Sequence, residues 1–173
     1  SDWSSDVCSS DLYNFIDCPF STNHDQNRIM SMFKYQFDPE ADLITASILT
    51  DEDGQPLLRE DADKAEDHVR VAASLLLTMP GKPFIYYGEE VGLDGAKPDS
   101  SIRECMPWYI EPFNEDGSAK EGLANYSVPV YSLGGEASVE AQIDDPASLL
   151  NHYKELIHAR KNIRSEERRV GKE

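Results

Sequence analysis

The stretch FSTNHDQNR at residues 20–28 decides the fold together with GKPFIYYGEEVG at residues 81–92. In the first stretch, a short apolar segment around residues 15–22 runs into a polar cluster, which predicts a strand that ends in a functional loop. Pro19 is disfavoured in a central strand, so this strand is expected to begin near it or after it. In the second stretch, the aromatic run at residues 83–87 stops at Gly88 and predicts a short buried strand.

A helical pattern follows each predicted strand. Five apolar residues of the first pattern recur on one helical face: Val69, Ala72, Ala73, Leu76 and Leu77. Pro80 and Gly81 are predicted to stop this helix. In the second pattern, Asp145 is the predicted cap and Pro146 the first helical residue. Its apolar face is formed by Leu149, Leu150, Tyr153, Leu156 and Ile157. The order strand, loop, helix, strand, loop, helix predicts an α/β fold with parallel packing.

Two segments between these elements are rich in turn-forming residues. Residues 35–63 contain many Asp, Glu, Pro and Gly residues and are expected to form a loop or a small excursion. Within them, the sequence DEDG at residues 51–54 predicts a turn. Residues 91–143 form a second, longer segment without a periodic pattern, and loops of such length are usually functional or disordered.

The composition is that of one acidic domain. The 173 residues are 39% hydrophobic, which is enough for a core, and carry a formal net charge of −17 at pH 7. This balance argues against a nucleic-acid groove, because phosphate backbones require stripes of Lys and Arg. It suits a neutral, sugar-like ligand without requiring one, since a solvated acidic surface is the commoner cause of such a charge.

Cysteine usage and hydropathy point to no special class of protein. Cys8, Cys18 and Cys105 form no CxxC pair, so neither a disulfide framework nor a zinc site is predicted. A run of about 18 apolar residues, the length that spans a membrane, does not occur. A basic and then apolar leader pattern is not visible either. We therefore predict no membrane segment, and the localisation is left open.

The two ends differ in character from the interior. Residues 1–12, SDWSSDVCSSDL, have no helical or strand periodicity, and residues 165–173, SEERRVGKE, are charged without an apolar face. Both resemble translated sequencing-adapter sequence, an interpretation that we prefer to a pair of disordered tails because the two strings flank one coherent segment. The predicted organisation is an artefact at 1–12, part of one domain at 13–164, and an artefact at 165–173.

The sharpest candidate site is the sequence Asn23, His24, Asp25 at the end of the first predicted strand. Strand ends are where α/β folds place their ligands. Three interpretations compete for these residues: a turn closed by a side chain, a metal pair, and a sugar-binding catalytic carboxylate. From the residues alone the turn is favoured, and the metal pair is the weakest because only one His stands beside the acid.

Four segments resemble the α-amylase superfamily, glycoside hydrolase family 13. FSTNHDQNR at 20–28 resembles its seventh-strand motif, and GKPFIYYGEEVG at 81–92 resembles its eighth-strand motif. KPDSSIRECMPW at 97–108 resembles the stretch that follows the eighth strand in bacterial members, and DPASLLNHYKELIHARK at 145–161 resembles their last barrel helix. The resemblance covers residues 15–163 and implies a fragment of a TIM-type (β/α)₈ barrel from about strand 7 to helix 8. Cys105, where Pro is usual, and the long 35–63 excursion depart from the pattern and leave the subfamily open.

The resemblance also implies a function. The parent protein is expected to be an enzyme that hydrolyses α-1,4-glucosidic bonds of starch-like glucans by a retaining mechanism, which needs a nucleophile and a separate acid/base carboxylate. In this family those two acids follow the fourth and fifth strands, in motifs that this sequence lacks, so the chain alone is expected to be inactive. Asp25 matches the third, catalytic acid, which binds sugar hydroxyls and helps to hold the ring distorted, and His24 matches a residue that hydrogen-bonds the same sugar. Asn23 is assigned to substrate binding with them.

Other candidates carry two interpretations each. Arg28 and Arg103 could bind substrate or keep Asp25 ionised, and a surface or structural ion pair is at least as common for each. Glu89 and Glu90 look like a general acid/base pair in isolation, whereas the resemblance makes them groups that structure a loop.

The expected partner is an α-glucan or a malto-oligosaccharide. We predict no metal ligand and no cofactor in this chain, with calcium allowed for in the parent protein. An α-1,6-glucosidase, a glucan transferase, and a non-enzymatic sugar-binding or partner-binding member of the same fold remain alternatives.

Overall fold

The computed structural model describes residues 18–43, 45–118, 120 and 135–170, with side chains as far as residue 162. Its α-helices are α1 (Ile29–Lys34), α2 (Ala65–Thr78), α3 (Asp99–Ile102), α4 (Val139–Gln142) and α5 (Leu149–Val170). Short 3₁₀ turns lie at Ala62–Lys64, Glu89–Val91 and Gly135–Ala137. None of the helices described is both long enough and apolar enough to cross a lipid bilayer.

The two predicted strands are parallel neighbours. Phe20 and Phe84 form a parallel bridge, and the Phe84 amide donates to the Pro19 carbonyl at 2.8 Å. The prediction that residues 83–87 are a buried strand is wrong. Their strand pairing is limited to this one bridge, and Phe84 is 61% exposed. A parallel strand is buried only when both of its edges are paired and both faces are covered. Among the described residues, Phe20 provides its single strand neighbour.

The core lies between α1, α2 and α5. The predicted face of α2 is confirmed, since Val69 and Ala73 are fully buried. They pack in one cluster with Ile29 of α1 and with Leu149 and Tyr153 of α5. Burial of this stripe stabilises the helices more than their intrinsic propensity does. The core therefore holds the two strand-to-helix units together on one side.

The start of α5 differs from the prediction. Asp145 does not cap it, because its carboxylate accepts a hydrogen bond from the Ala147 amide at 2.9 Å and closes a local turn. Ser148 caps the helix by accepting from the Asn151 amide at 3.2 Å. Asp side chains readily bond the backbone two residues on, and that bond competes with capping. The helix consequently begins at Leu149, beyond Pro146.

The predicted boundaries at the two ends stay predictions. Helix α5 continues through residue 165 to Val170. Residues 1–12 and 171–173 lie outside the described residues.

The excursion at residues 35–58 is a small antiparallel unit rather than a plain loop. Its bridges join Tyr35 to Leu58, Phe37 to Ile48 and Thr50 to Pro56. The turn predicted at residues 51–54 is confirmed, because the Gly54 amide donates to the Asp51 carbonyl at 3.1 Å. Gly54 has φ +79°, a conformation that favours glycine.

An open apolar groove of about 690 Å³ lies between the first strand and α2. Its lining includes Pro19, Phe20, Ile29, Phe33, Leu75 and Met79. Phe20, Leu75 and Met79 are 49%, 63% and 48% exposed. Contiguous apolar surface of this kind is a contact site or an aggregation liability.

We therefore expect the isolated chain to aggregate or to stay loosely packed. The (β/α)₈ barrel that the resemblance implies needs about 250 residues and eight strands, and among the described residues Phe84 has one strand neighbour and is exposed. The measurement is a thermal melt combined with an amide NMR spectrum of the purified chain. A sharp cooperative melt with dispersed resonances from a monomer would contradict the expectation. The variant Leu75→Lys serves as the matched control, because it should raise solubility without adding core contacts.

Candidate functional site

The chain turns sharply where the first strand ends, at residues 23–26, which we call the Asp25 turn. The side-chain oxygen of Asn23 accepts a hydrogen bond from the Asp25 amide at 2.9 Å. The Gln26 amide donates to the Asn23 carbonyl at 3.2 Å. Both bonds use Asn23 and the backbone, so the turn forms without the Asp25 carboxylate. That carboxylate is left at the surface, with 65% of the side chain exposed.

Besides Asn23, three of the predicted site residues meet at this turn. The His24 Nε2 atom lies 3.3 Å from one Asp25 carboxylate oxygen. Arg103 donates through Nη2 to the other at 3.1 Å, and through Nε to the His24 carbonyl at 3.0 Å. Arg103 thereby holds both the carboxylate and the backbone of the turn. All three side chains are exposed, so a ligand can reach them from solvent.

A second acid orients Arg103. Asp99 lies 2.7 Å from Arg103 Nη2 and 2.5 Å from the Lys97 ammonium nitrogen. The hydrogen bond from Lys97 and the charge of Arg103 hold the pKa of the Asp99 carboxyl below its usual range. The segment at residues 97–103 therefore presents a cation to Asp25.

Arg28 lies inside the protein. Its side chain is fully buried, it donates to the Tyr87 carbonyl at 2.6 Å, and its guanidinium carbon is 4.7 Å from the ring centres of both Tyr86 and Tyr87. Stacking on two aromatic faces is a favourable setting for a buried guanidinium. The predicted role in substrate binding stays a prediction, and the contacts that Arg28 makes here are structural.

Thr22 and Glu89 form a buried contact that the sequence analysis did not find. The Thr22 hydroxyl donates to a Glu89 carboxylate oxygen, and the two residues are 0% and 1% exposed. Burial raises the pKa of Glu89 to about 7, and the Thr22 hydrogen bond and the Arg28 charge oppose that rise. Glu89 therefore lies in a loop-structuring position, as the resemblance implies, and not at the surface as a free acid.

Asn27 joins three segments behind the site. Its amide nitrogen donates to the carbonyls of Leu43 and Ala46 at 3.0 and 2.8 Å, and its oxygen accepts from the Lys97 amide at 2.7 Å. Asn27 is fully buried. The only sequence signal for this role was its place in the polar cluster after the first strand.

Within the described part of the chain, no three His, Cys, Asp or Glu side chains are grouped so that they could hold a metal ion. The calcium ion allowed for in the parent protein stays a prediction.

Comparison with known proteins identifies the relatives of this chain. The family model for the α-amylase catalytic domain matches residues 8–167. α-Amylase 3 of Dictyoglomus thermophilum is 33% identical over 153 residues, which is 88% of this chain and 24% of that protein. A 4-α-glucanotransferase of Thermotoga maritima is 28% identical over 116 residues, 64% of this chain and 25% of that protein.

The solved α-amylase from H. orenii has the same local fold. It superposes with a TM-score of 0.53 at 36% identity, over 87% of this chain and 23% of that one. The chain thus spans about a quarter of the length of the relatives that it matches.

Proposed function

Because this chain belongs to the α-amylase family, glycoside hydrolase family 13, we propose that it supplies the part of a (β/α)₈ barrel from about strand 7 to helix 8. In that barrel, Asp25 is proposed to be the acid that stabilises the transition state of glycosidic bond cleavage. The enzyme is proposed to act on α-1,4 bonds of starch-like glucans or malto-oligosaccharides, with retention of configuration. One observation carries the assignment: the Asp25 carboxylate is exposed at a strand end and is held by Arg103.

The geometry suits a carboxylate that binds sugar hydroxyls. Each carboxylate oxygen has further lone pairs beyond its contact with His24 or Arg103, so it can accept from a sugar. As positive charge develops on the ring, the adjacent hydroxyls become more acidic, and their bonds to an anion strengthen. Such interactions lower the barrier because they are stronger in the transition state than in the ground state.

His24, Asn23 and Arg103 have supporting roles in this proposal. His24 is exposed beside Asp25 and can donate from its ring to the same sugar. Asn23 acts through the backbone, since its side chain closes the turn that presents Asp25. Arg103 keeps the carboxylate in place and adds donors at the edge of the site.

The proposal also has to decide between hydrolysis of the glucan and its transfer to another sugar. Water as the acceptor gives hydrolysis, and a second sugar gives transfer, the reaction named for the T. maritima relative. We favour hydrolysis of α-1,4 bonds because the chain is similar to α-amylase 3 over most of its length. The alternatives are an α-1,6-glucosidase and a non-enzymatic sugar-binding member of the fold.

The test uses an active barrel that carries this chain in the position that it matches. With maltoheptaose as substrate, NMR of the first products should show the α-anomer, and chromatography should show shorter maltodextrins. Products longer than the substrate would indicate transfer. Cleavage of isomaltose alone would indicate α-1,6 specificity. Binding of maltoheptaose without any product, in a barrel that contains the two other acids, would support the non-enzymatic alternative and overturn the proposal.

Arg103 offers a prediction that separates substrate binding from a plain surface ion pair. It is 45% exposed, so loss of its pairs with Asp25 and Asp99 should cost less than about 1 kcal/mol of stability. We expect Arg103→Met to raise KM and lower kcat by roughly tenfold each, because the carboxylate and the turn lose a shared anchor. Arg103→Lys keeps the positive charge but loses the paired donors of the guanidinium group. Its kinetic constants should lie between those of the parent and those of Arg103→Met. Unchanged steady-state kinetics in Arg103→Met would leave Arg103 as a surface ion pair.

A further inference from the structure

We propose that Glu89 is a positioning residue for Asp25, because its buried carboxyl anchors Thr22, the residue at which the chain enters the Asp25 turn. This inference rests on the proposed function, since it assigns a role toward the proposed catalytic acid. Among the described residues, the Glu89 side chain bonds to buried Thr22 and not to an exposed residue of the Asp25 turn. Its effect on the reaction would pass through Thr22 and the backbone of the turn.

The anchor is attached to a rigid segment, the Glu89 turn at residues 88–92. Gly88 and Gly92 flank it with φ +87° and +76°, and the Leu93 amide donates to the Gly88 carbonyl at 2.8 Å. A Cβ atom at Gly88 would lie 2.7 Å from the Leu93 side chain, so position 88 has no room for a residue larger than glycine. Since Val91 and Leu93 are both 1% exposed, the turn is also fixed by burial.

Charged and titratable groups surround Glu89 from every element packed on it. Arg28 faces it from the residue before α1, Tyr153 from α5 and Glu90 from its own segment. The Tyr86 backbone and the Thr22 hydroxyl hydrogen-bond its carboxyl. Among the described residues, several buried polar atoms of this cluster have no hydrogen-bond partner: Nε and Nη2 of Arg28, the second carboxylate oxygen of Glu89, and the Tyr153 hydroxyl. The bond to Thr22 is therefore a principal polar contact of the Glu89 side chain.

Ionisation of Glu89 has two effects of opposite sign. Its folded pKa of about 7 lies above the ordinary value of 4.5, so its contribution to stability is complete below about pH 4.5 and is lost as the pH rises through 7. The bond from Thr22, in contrast, becomes charge-assisted and shorter once Glu89 is ionised. A tighter Thr22 fixes Asp25 better, so kcat should rise as the pH passes through about 7, at the upper end of the range in which stability falls.

Glu89→Gln isolates both effects in an active barrel that carries this chain. Its amide oxygen still accepts from Thr22, but the side chain cannot ionise. Near pH 6, where Glu89 is mostly neutral, the variant should match the parent in kcat. The fall in Tm that the parent shows between about pH 4.5 and 7 should be absent in the variant, and so should the rise in kcat above about pH 7. The rest of the barrel is the same in both proteins, so its contribution to the pH profile cancels in the comparison.

Thr22→Val tests the link itself, with Thr22→Ser as the matched control. Valine keeps the shape and removes the donor, so kcat should fall about tenfold with little change in KM, whereas serine should keep the kcat of the parent. Equal kcat in Thr22→Val and Thr22→Ser would overturn the proposal, and so would superimposable pH profiles of Glu89→Gln and the parent. If Thr22→Val does not fold, the pH profile still decides. Asp25→Asn in the same barrel separates the two proposals: normal kcat there rejects the proposed function, whereas a loss there with normal Thr22→Val rejects only this inference.

Discussion

Replacement of Asp25 by Asn in an active barrel that carries this chain is expected to lower kcat by roughly 10²- to 10³-fold, about 3 to 4 kcal/mol, with a much smaller change in KM. Asparagine keeps the size of the side chain and removes its charge. The lost interaction is one that strengthens as the sugar ring becomes cationic, so the ground state should be affected less than the transition state. Kinetics of maltoheptaose cleavage at saturating and limiting substrate measure the two parameters.

The structure supplies the controls for this experiment. The Asp25 amide, not its carboxylate, closes the turn on Asn23, so Asp25→Asn should fold normally and melt near the parent. Asn23→Ala removes that bond and should lower the Tm more than Asp25→Asn does. His24→Ala should change KM and kcat together, because the ring would contact sugar in both states. If Asp25 only served the turn, the variant would melt earlier and its folded fraction would turn over normally; an unchanged kcat would remove the catalytic assignment.

The chain by itself is expected to release no reducing sugar from soluble starch. A retaining glycosidase needs a nucleophile and an acid/base carboxylate about 5 Å apart, and a group that stabilises the transition state replaces neither. The Glu89 and Glu90 pair cannot serve instead, since Glu89 is 1% exposed and is bonded to Thr22. Turnover comparable to that of an ordinary amylase would refute this expectation.

The matched control for the starch assay is the same chain with Asp25→Asn. A trace of host amylase would release sugar equally from both preparations. Release that depends on Asp25 would instead contradict the expectation that the chain alone is inactive.

The sequence predicted the structure correctly where the spacing of apolar residues, or the backbone conformation that a turn requires, points to one local structure. Helix α2 and the turn at Gly54 follow from spacing and from a required backbone conformation, and the structure confirms them. Helix α1 was missed because its six residues are too short for a periodic pattern to appear. The cap of α5 was misplaced because Asp145 and Ser148 are both good caps, and which of them forms a local turn depends on the packing of the loop.

Some features of the candidate site could be predicted from the sequence, and others depend on tertiary packing. Asn23, His24 and Asp25 are adjacent in the chain, so their proximity could be predicted, and the parallel strands explain why Arg103 reaches them. The burial of Arg28 could not be predicted from its place in the polar cluster, because an arginine has no sequence mark that separates a stacked interior position from a surface one. The Thr22 contact with Glu89 joins residues 67 apart and depends on tertiary packing alone.

The three bonds of Asn27 bear on how this protein can be redesigned. One amide holds the carbonyls at Leu43 and Ala46 on one side and the Lys97 amide on the other, so it ties the excursion at residues 35–58 to the segment that leads to Arg103. An aspartate in its place could accept from Lys97 but could not donate to either carbonyl. Asn27, its two carbonyl partners and the Tyr35 bond to Asp94 are therefore the contacts to keep when the antiparallel unit beyond them is shortened, lengthened or exchanged, because Asn27 follows the Asp25 turn by a single residue.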